Sequence, residues 1–329
     1  MTESASDTAG TATAVDAPRN GRLLSLAMTG ALPLAILLLA AFFYIQSPVF
    51  LTLNNWISIS VQVATLMTIS IPFAILLMAG KVDLGVGSLL ALSGVIAGLC
   101  FPSFGIVGTI VFTLAVGTLI GVVNGVMVGV LSMSPIIVTL GGLTLMRGIA
   151  QWLSPNPLFG FPEAFTYIGY GRVLGLPVLT WILIAVLLAG LAVMRFTALG
   201  RHAVAIGVNE RAAYLTGIRV KLSVVMLYAA VGFAAALAGL MSVARINSAP
   251  SGTLGIGMEL SVLTAVLLGG VPFTGGKGSL LRVALGVWLL GMLSNGLILM
   301  NMPSEASLMI TGFVLILAAG LDVLRRRMA

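Results

Sequence analysis

Turn-forming and charged residues cut this chain into a succession of apolar runs, most of them close to 20 residues long, and no feature restricts its fold more. Hydrocarbon offers the backbone no hydrogen-bond partner, so a run of about 20 apolar residues, ~30 Å long as a helix, reads as a membrane-spanning α-helix. Ten runs qualify: 23–45, 57–79, 84–101, 106–131, 135–153, 177–194, 222–243, 258–271, 280–300 and 304–322. The third and eighth are short or interrupted by glycine, which suits broken or tilted segments packed inside protein rather than against lipid. The expected fold class is all-α, a polytopic membrane protein with about ten transmembrane helices. Composition agrees: 59% of residues are hydrophobic and 8% charged, against roughly a quarter charged in a soluble domain.

Charge sets the orientation. Alternating through ten spans from a cytoplasmic amino terminus puts Arg19, Arg22, Lys81, Arg195, Arg201, Arg211, Arg219, Lys221, Lys277, Arg282, Arg325, Arg326 and Arg327 on the inner side. Only Arg147, Arg172 and Arg245 fall elsewhere. Cytoplasmic loops carry the excess of Lys and Arg, so both termini are expected in the cytoplasm. The formal net charge of +7 therefore reports topology, and no nucleic-acid partner is implied. Residues 1–18 hold few large apolar side chains and cannot fold alone. The organisation read from the sequence is a disordered cytoplasmic tail (1–22), a transmembrane domain (23–324) with a cytoplasmic loop at 195–221, and a basic cytoplasmic end (325–329). Acidic residues precede the first apolar run, which is of spanning length, so it reads as a retained helix rather than a cleaved signal peptide.

Chemistry-bearing residues are sparse. Cys100 is the only cysteine, so neither a disulfide framework nor a Cys-ligated metal site is available. His202 is the only histidine and lies in the charged inner loop without neighbours at ligand spacing; it reads as a solvated side chain rather than a metal ligand or catalytic base. The stretch GGVPFTGGKGS nearly spells a phosphate-binding loop, but Val271 stands where the first glycine belongs and Gly278 separates Lys277 from Ser279. A tight glycine turn explains it better. A membrane enzyme would need acidic or histidine-containing catalytic loops, which are missing.

Within the inner loop, Asn209 suits a helix N-cap, Glu210 the positive helix end, Ala212, Ala213 and Leu215 a helix interior, and Gly217 a C-terminal stop. A two-turn helix is marginal alone and must rest on the membrane domain or on a partner. By itself the pattern also describes an ordinary connecting helix.

The run GRHAVAIGVNERAAYLTGI, residues 200–218, resembles the cytoplasmic loop of ribose-type permeases of ATP-binding-cassette importers, in the branched-chain amino acid and sugar permease family. Three further blocks resemble the same family: AGKVDLGVGS at 79–88, GFPEAF at 160–165, and Gly269–Gly270 with GGKGS at 275–279, preceded by Glu259–Leu260. Ala79, Gly85, Met258 and Ser261 depart from its usual pattern. The resemblance implies a permease subunit working as one of a pair, with itself or with a sister permease, in a bacterial inner membrane. It implies passage of a monosaccharide or related polyol delivered by a periplasmic binding protein. Energy would come from separate cytoplasmic ATPase subunits that hold the ATP and magnesium, so this chain itself needs no cofactor and is not an enzyme. Asn209, Glu210, Ala212, Ala213 and Gly217 become the residues coupled to the ATPase, and 160–165 an outer loop facing the binding protein. The alternatives are an ion-coupled secondary transporter, against which the paucity of buried acids argues, and an importer permease for a nucleoside, a signalling sugar or a branched-chain amino acid.

Polar residues inside or beside the spans divide between two uses. Gln62, Asp83, Asn124, Thr139 and Asn295 either line a pathway that exchanges hydrogen bonds with a solute or tie helices together. For Asp83 the local use is a bond to Lys81 or to backbone amides between Gly85 and Ser88. Arg147, placed near an outer helix end, is expected to snorkel. Gly117, Gly121, Gly125 and Gly129, four apart, predict close packing of one span face.

Overall fold

A computed structural model describes residues 19–303, 305–306, 309–310, 312–314 and 316–317. The chain is mostly helical: α1 (Arg19–Gln46), α2 (Leu53–Met78), α3 (Val86–Gly129), α4 (Pro135–Leu153), α5 (Glu163–Tyr170), α6 (Val178–Phe196), α7 (Ala198–Val208), α8 (Glu210–Leu215), α9 (Val220–Ile246), α10 (Met258–Leu268) and α11 (Leu280–Leu299). Among the described residues six helices are long and apolar enough to cross a membrane: α2, α3, α4, α6, α9 and α11. The expected tail, the tenth run and the basic end lie wholly or largely outside the described residues.

Helix α3 joins two of the expected runs. Its 44 residues are interrupted at Gly105, whose φ of 61° and ψ of −172° are non-helical. Straight, it would measure about 66 Å, roughly twice the hydrocarbon thickness. The two halves instead both lie along α9 in opposite senses: Leu90 and Gly94 face Gly239 and Val243, whereas Gly117, Gly121 and Gly129 face Ala236, Tyr228 and Val224. Helix α10 has 11 residues, about 17 Å, and reaches only halfway across; the run expected at 258–271 is a half-helix, not a span.

The glycine spacing of 117, 121, 125 and 129 produces the predicted packing. A Cβ at Gly121 would meet the Tyr228 carbonyl, and one at Gly232 the Gly117 carbonyl. The main apolar core centres on α2 and α9, with Ile59, Phe73, Leu76, Val224, Val231 and Val262 buried. Outside the helices, two-stranded ribbons close the loops. β1 (Leu158–Phe159) pairs antiparallel with β4 (Ser248–Ala249), and β2 (Arg172–Val173) with β3 (Leu176–Pro177).

Two glycine-rich turns distant in sequence meet at one junction. Gly276 N–H donates to the Met78 carbonyl at 2.8 Å. Gly275 and Gly276 hold φ values of 75° and 80°, which glycine tolerates and other residues rarely adopt. Gly207, near the end of α7, packs against the same carbonyl with no room for a side chain.

Candidate functional site

The loop helix forms where its capping residues place it. Asn209 adopts extended geometry and its side-chain oxygen accepts from the Ala212 N–H at 2.9 Å, satisfying one of the orphan donors of α8. Gly217, at φ 86°, ends the segment. Ala213 is buried while Tyr214 and Leu215 are 70% and 77% exposed, so the helix shows one small apolar face inward and two large apolar side chains outward. They border a groove of about 980 Å³ together with Gly129, Ser132, Arg211 and Arg219. Its floor is mixed in character, with Glu210 and Lys221 among the lining residues.

Lys81 does not pair with Asp83. Its Nζ lies 3.0 Å from Glu210 Oε2, joining the turn after α2 to the first residue of α8. Sequence reasoning missed this contact because 129 positions separate the two residues; it also missed α7, which carries Gly207 to the junction. His202 is half-buried, its Nδ1 3.4 Å from Ser223 Oγ, rather than fully solvated.

The polar residues proposed for a pathway divide into three places. Asp83, Asn124 and Thr139 come together. Asp83 is buried and accepts from the Gly85 N–H at 2.8 Å, the local backbone use foreseen for it. Asn124 approaches the same carboxylate, yet its Nδ2 is buried without a hydrogen bond of acceptable geometry. Thr139 turns its hydroxyl back to the Pro135 carbonyl at 2.8 Å, while its own carbonyl backs onto Gly85. Tyr228 closes the group by donating to the Val82 carbonyl at 2.7 Å.

Asn295 stands apart. Its Oδ1 accepts from Asn55 Nδ2 at 2.9 Å, and the same Nδ2 reaches the Phe50 carbonyl at 2.9 Å. Both amides are buried. Of its two uses, tying helices together is the one this geometry satisfies, and a place on a pathway with Asp83 is not. Gln62 lines a third location, a cavity of about 210 Å³ with Thr65, Ser261 and Ser294 between α2, α10 and α11.

Arg147 does not snorkel. It sits in the thirteenth position of α4 and its Nη1 donates to the Ser251 carbonyl at 3.1 Å and the Leu254 carbonyl at 2.7 Å. It thereby holds the turn that leads into α10. Among the described residues no group of three or more His, Cys, Asp and Glu side chains is placed to hold a metal ion.

Comparison with known proteins places these features in a family. The family described as branched-chain amino acid transport system, permease component, matches residues 55–319. The ribose import permease protein RbsC of Escherichia coli (strain K12) is 36% identical over 88% of this chain and 92% of its own length. The D-allose transport system permease protein AlsC of the same strain is 32% identical over 87% and 88%. The autoinducer 2 import system permease protein LsrD of Photorhabdus temperata is 33% identical over 84% and 85%. No solved structure gives a significant match. With the family matching across α2 to α11 and relatives this similar over most of their length, the chain belongs to the family of branched-chain amino acid transport system permease components.

Proposed function

We propose that this chain is the membrane permease subunit of an ATP-binding-cassette importer for a monosaccharide or related polyol. It would work in the bacterial inner membrane as a multi-pass protein of ten spans with both termini in the cytoplasm, 1–22 and 325–329 being its cytoplasmic ends and 23–324 its transmembrane domain. The two halves of α3 count as two of these spans, and the non-helical stretch 250–257 together with the half-helix α10 takes the place of another. Its partners in this reading are cytoplasmic ATPase subunits, a periplasmic binding protein and a second permease subunit, itself or a sister chain. ATP and magnesium belong to the ATPase.

The observation that carries the reading is α8: a capped cytoplasmic helix with Tyr214 and Leu215 outward and a direct ion pair from Glu210 into the turn after α2. Such a helix can receive movement at its outer face and pass it to the membrane core through Lys81 and the Gly207 junction. In this role Asn209 and Gly217 fix the ends of the helix, Ala212 and Ala213 keep it slim, and Glu210 transmits. The similarity to ribose, allose and autoinducer 2 permeases supports the solute class. Asp83, Asn124 and Thr139 are the pathway residues this reading retains, with Gln62 near a separate polar cavity.

Purification from the native membrane in mild detergent tests the assignment. Recovery of a cytoplasmic ATPase with the chain, and sugar uptake by reconstituted vesicles that requires internal ATP, is the expected result. A chain that purifies alone and transports after ATP depletion, but stops with a protonophore, would establish the ion-coupled alternative instead.

A further inference from the structure

Helical Ser and Thr side chains buried in protein can satisfy themselves by donating to the carbonyl four residues back. Thr68, Thr139 and Thr264 do so here, at 2.8, 2.8 and 2.7 Å. Thr65 on α2 and Ser294 on α11 do not. Neither hydroxyl has a hydrogen-bond partner among the described residues, and neither has the side-chain amide of Gln62, three positions before Thr65 on the same helix face. All three line one cavity of about 210 Å³ between α2, α10 and α11. Thr65 is only 7% exposed, so the interior of this cavity is what its hydroxyl has to bond with. Ser261, in the first turn of α10, lines it too and turns its own hydrogen to the Gly257 carbonyl at 3.1 Å, which leaves its oxygen free to accept. Leu66 and Leu290 add apolar wall, and no charged side chain lines the space.

Gln62 and Thr65 lie about 14 and 18 Å along α2 from Leu53, near the middle of a hydrocarbon layer ~30 Å thick. Unpaired polar groups are costly at that depth, and three of them aimed into one space need an occupant that exchanges hydrogen bonds. We propose that this cavity is a transit site for a neutral polyhydroxylated solute, whose hydroxyls bond with Gln62, Thr65, Ser261 and Ser294. The inference rests on the import function proposed above. A charged solute would find no counter-charge among the lining side chains, whereas amide and hydroxyl groups both donate and accept, as a sugar hydroxyl does. The room is that of about seven waters, on the scale of one small sugar and below the ~300 Å³ at which pockets for larger ligands begin. The half-helix α10 forms one wall, and solute sites near the membrane midplane recur beside discontinuous helices in transporters.

The test uses the complete importer, with its ATPase and binding protein, in vesicles. The wild type is offered D-ribose, D-xylose, D-allose and D-galactose to establish which sugar it imports. Ser294→Cys is then combined with Cys100→Ala, which removes the native cysteine of this chain, and its labelling by a water-soluble maleimide is followed during ATP turnover. The imported sugar is expected to slow labelling severalfold, and a sugar of the set that is not imported to leave it unchanged. Thr65→Val keeps the shape of the side chain and removes its hydroxyl. It should cut uptake severalfold, as for loss of a neutral hydrogen bond, with the thermal midpoint held or raised, whereas loss of a tie between helices would lower it. Labelling that ignores the imported sugar, or wild-type uptake by Thr65→Val, overturns the site while import stands, the cavity then holding water alone. If the wild-type complex imports none of the sugars, the import reading fails first and the site falls with it.

Discussion

At Asn55 and Asn295 two buried amides share one hydrogen bond between α2 and α11, and neither has water to fall back on. Removing one partner leaves the other buried and unsatisfied, which costs about 1–3 kcal/mol. Asn55→Leu is expected to lower the thermal midpoint of the detergent-solubilised protein, and Asn55→Leu with Asn295→Leu to recover part of it, because the second change removes the orphaned group. An additive loss in the double variant would show that the amides act separately. Asn124 presents the opposite case, a buried Nδ2 already without a good partner. Asn124→Leu should therefore cost less stability than Asn55→Leu; if it also slows uptake, the amide works on the solute path and not as glue. Sequence placed Asn124 and Asn295 each inside a span and could go no further, because which of these two amides finds a partner depends on the neighbouring helix.

Among the elements, the contact between the second half of α3 and α9 depends on backbone approach rather than on interlocking side chains. Gly117, Gly121 and Gly125 face Gly232, Tyr228 and Val225 with no space for a Cβ. Without a hydrophobic driving force between helices in lipid, such close packing supplies much of the association energy. Gly121→Val should destabilise the pair by about 1–3 kcal/mol or force the helices apart, and is checked by folded yield and thermal midpoint. Gly141→Val on α4, where a side chain would meet open space, should leave both nearly unchanged. This ridge was fully legible as a four-residue glycine repeat. The half-helix α10 was legible only as a short run, since a hydropathy count cannot tell a tilted span from a segment that stops halfway and turns.

For the whole molecule the informative contact is Lys81 to Glu210, which links the turn after α2 to α8. The Glu210 side chain is 55% exposed, and exposed pairs contribute about 0–1 kcal/mol. The pair is therefore poor as a stabiliser and useful for holding two bodies in register. Glu210→Lys should abolish transport with little change in membrane insertion or thermal midpoint, and the exchange Lys81→Glu with Glu210→Lys should restore a measurable part of it. Unchanged transport in Glu210→Lys would remove the coupling role. By itself the sequence determined that this is a helical membrane protein and where α8 begins and ends. Those follow from local rules: lipid requires each segment to satisfy its own backbone, and a cap acts within three residues. Only the tertiary structure decided that Lys81 reaches Glu210 instead of Asp83, that Asn295 answers to Asn55, and that Arg147 turns inward onto the 251–254 carbonyls. Buried polar groups choose among distant partners, and that choice is fixed by which helices lie side by side.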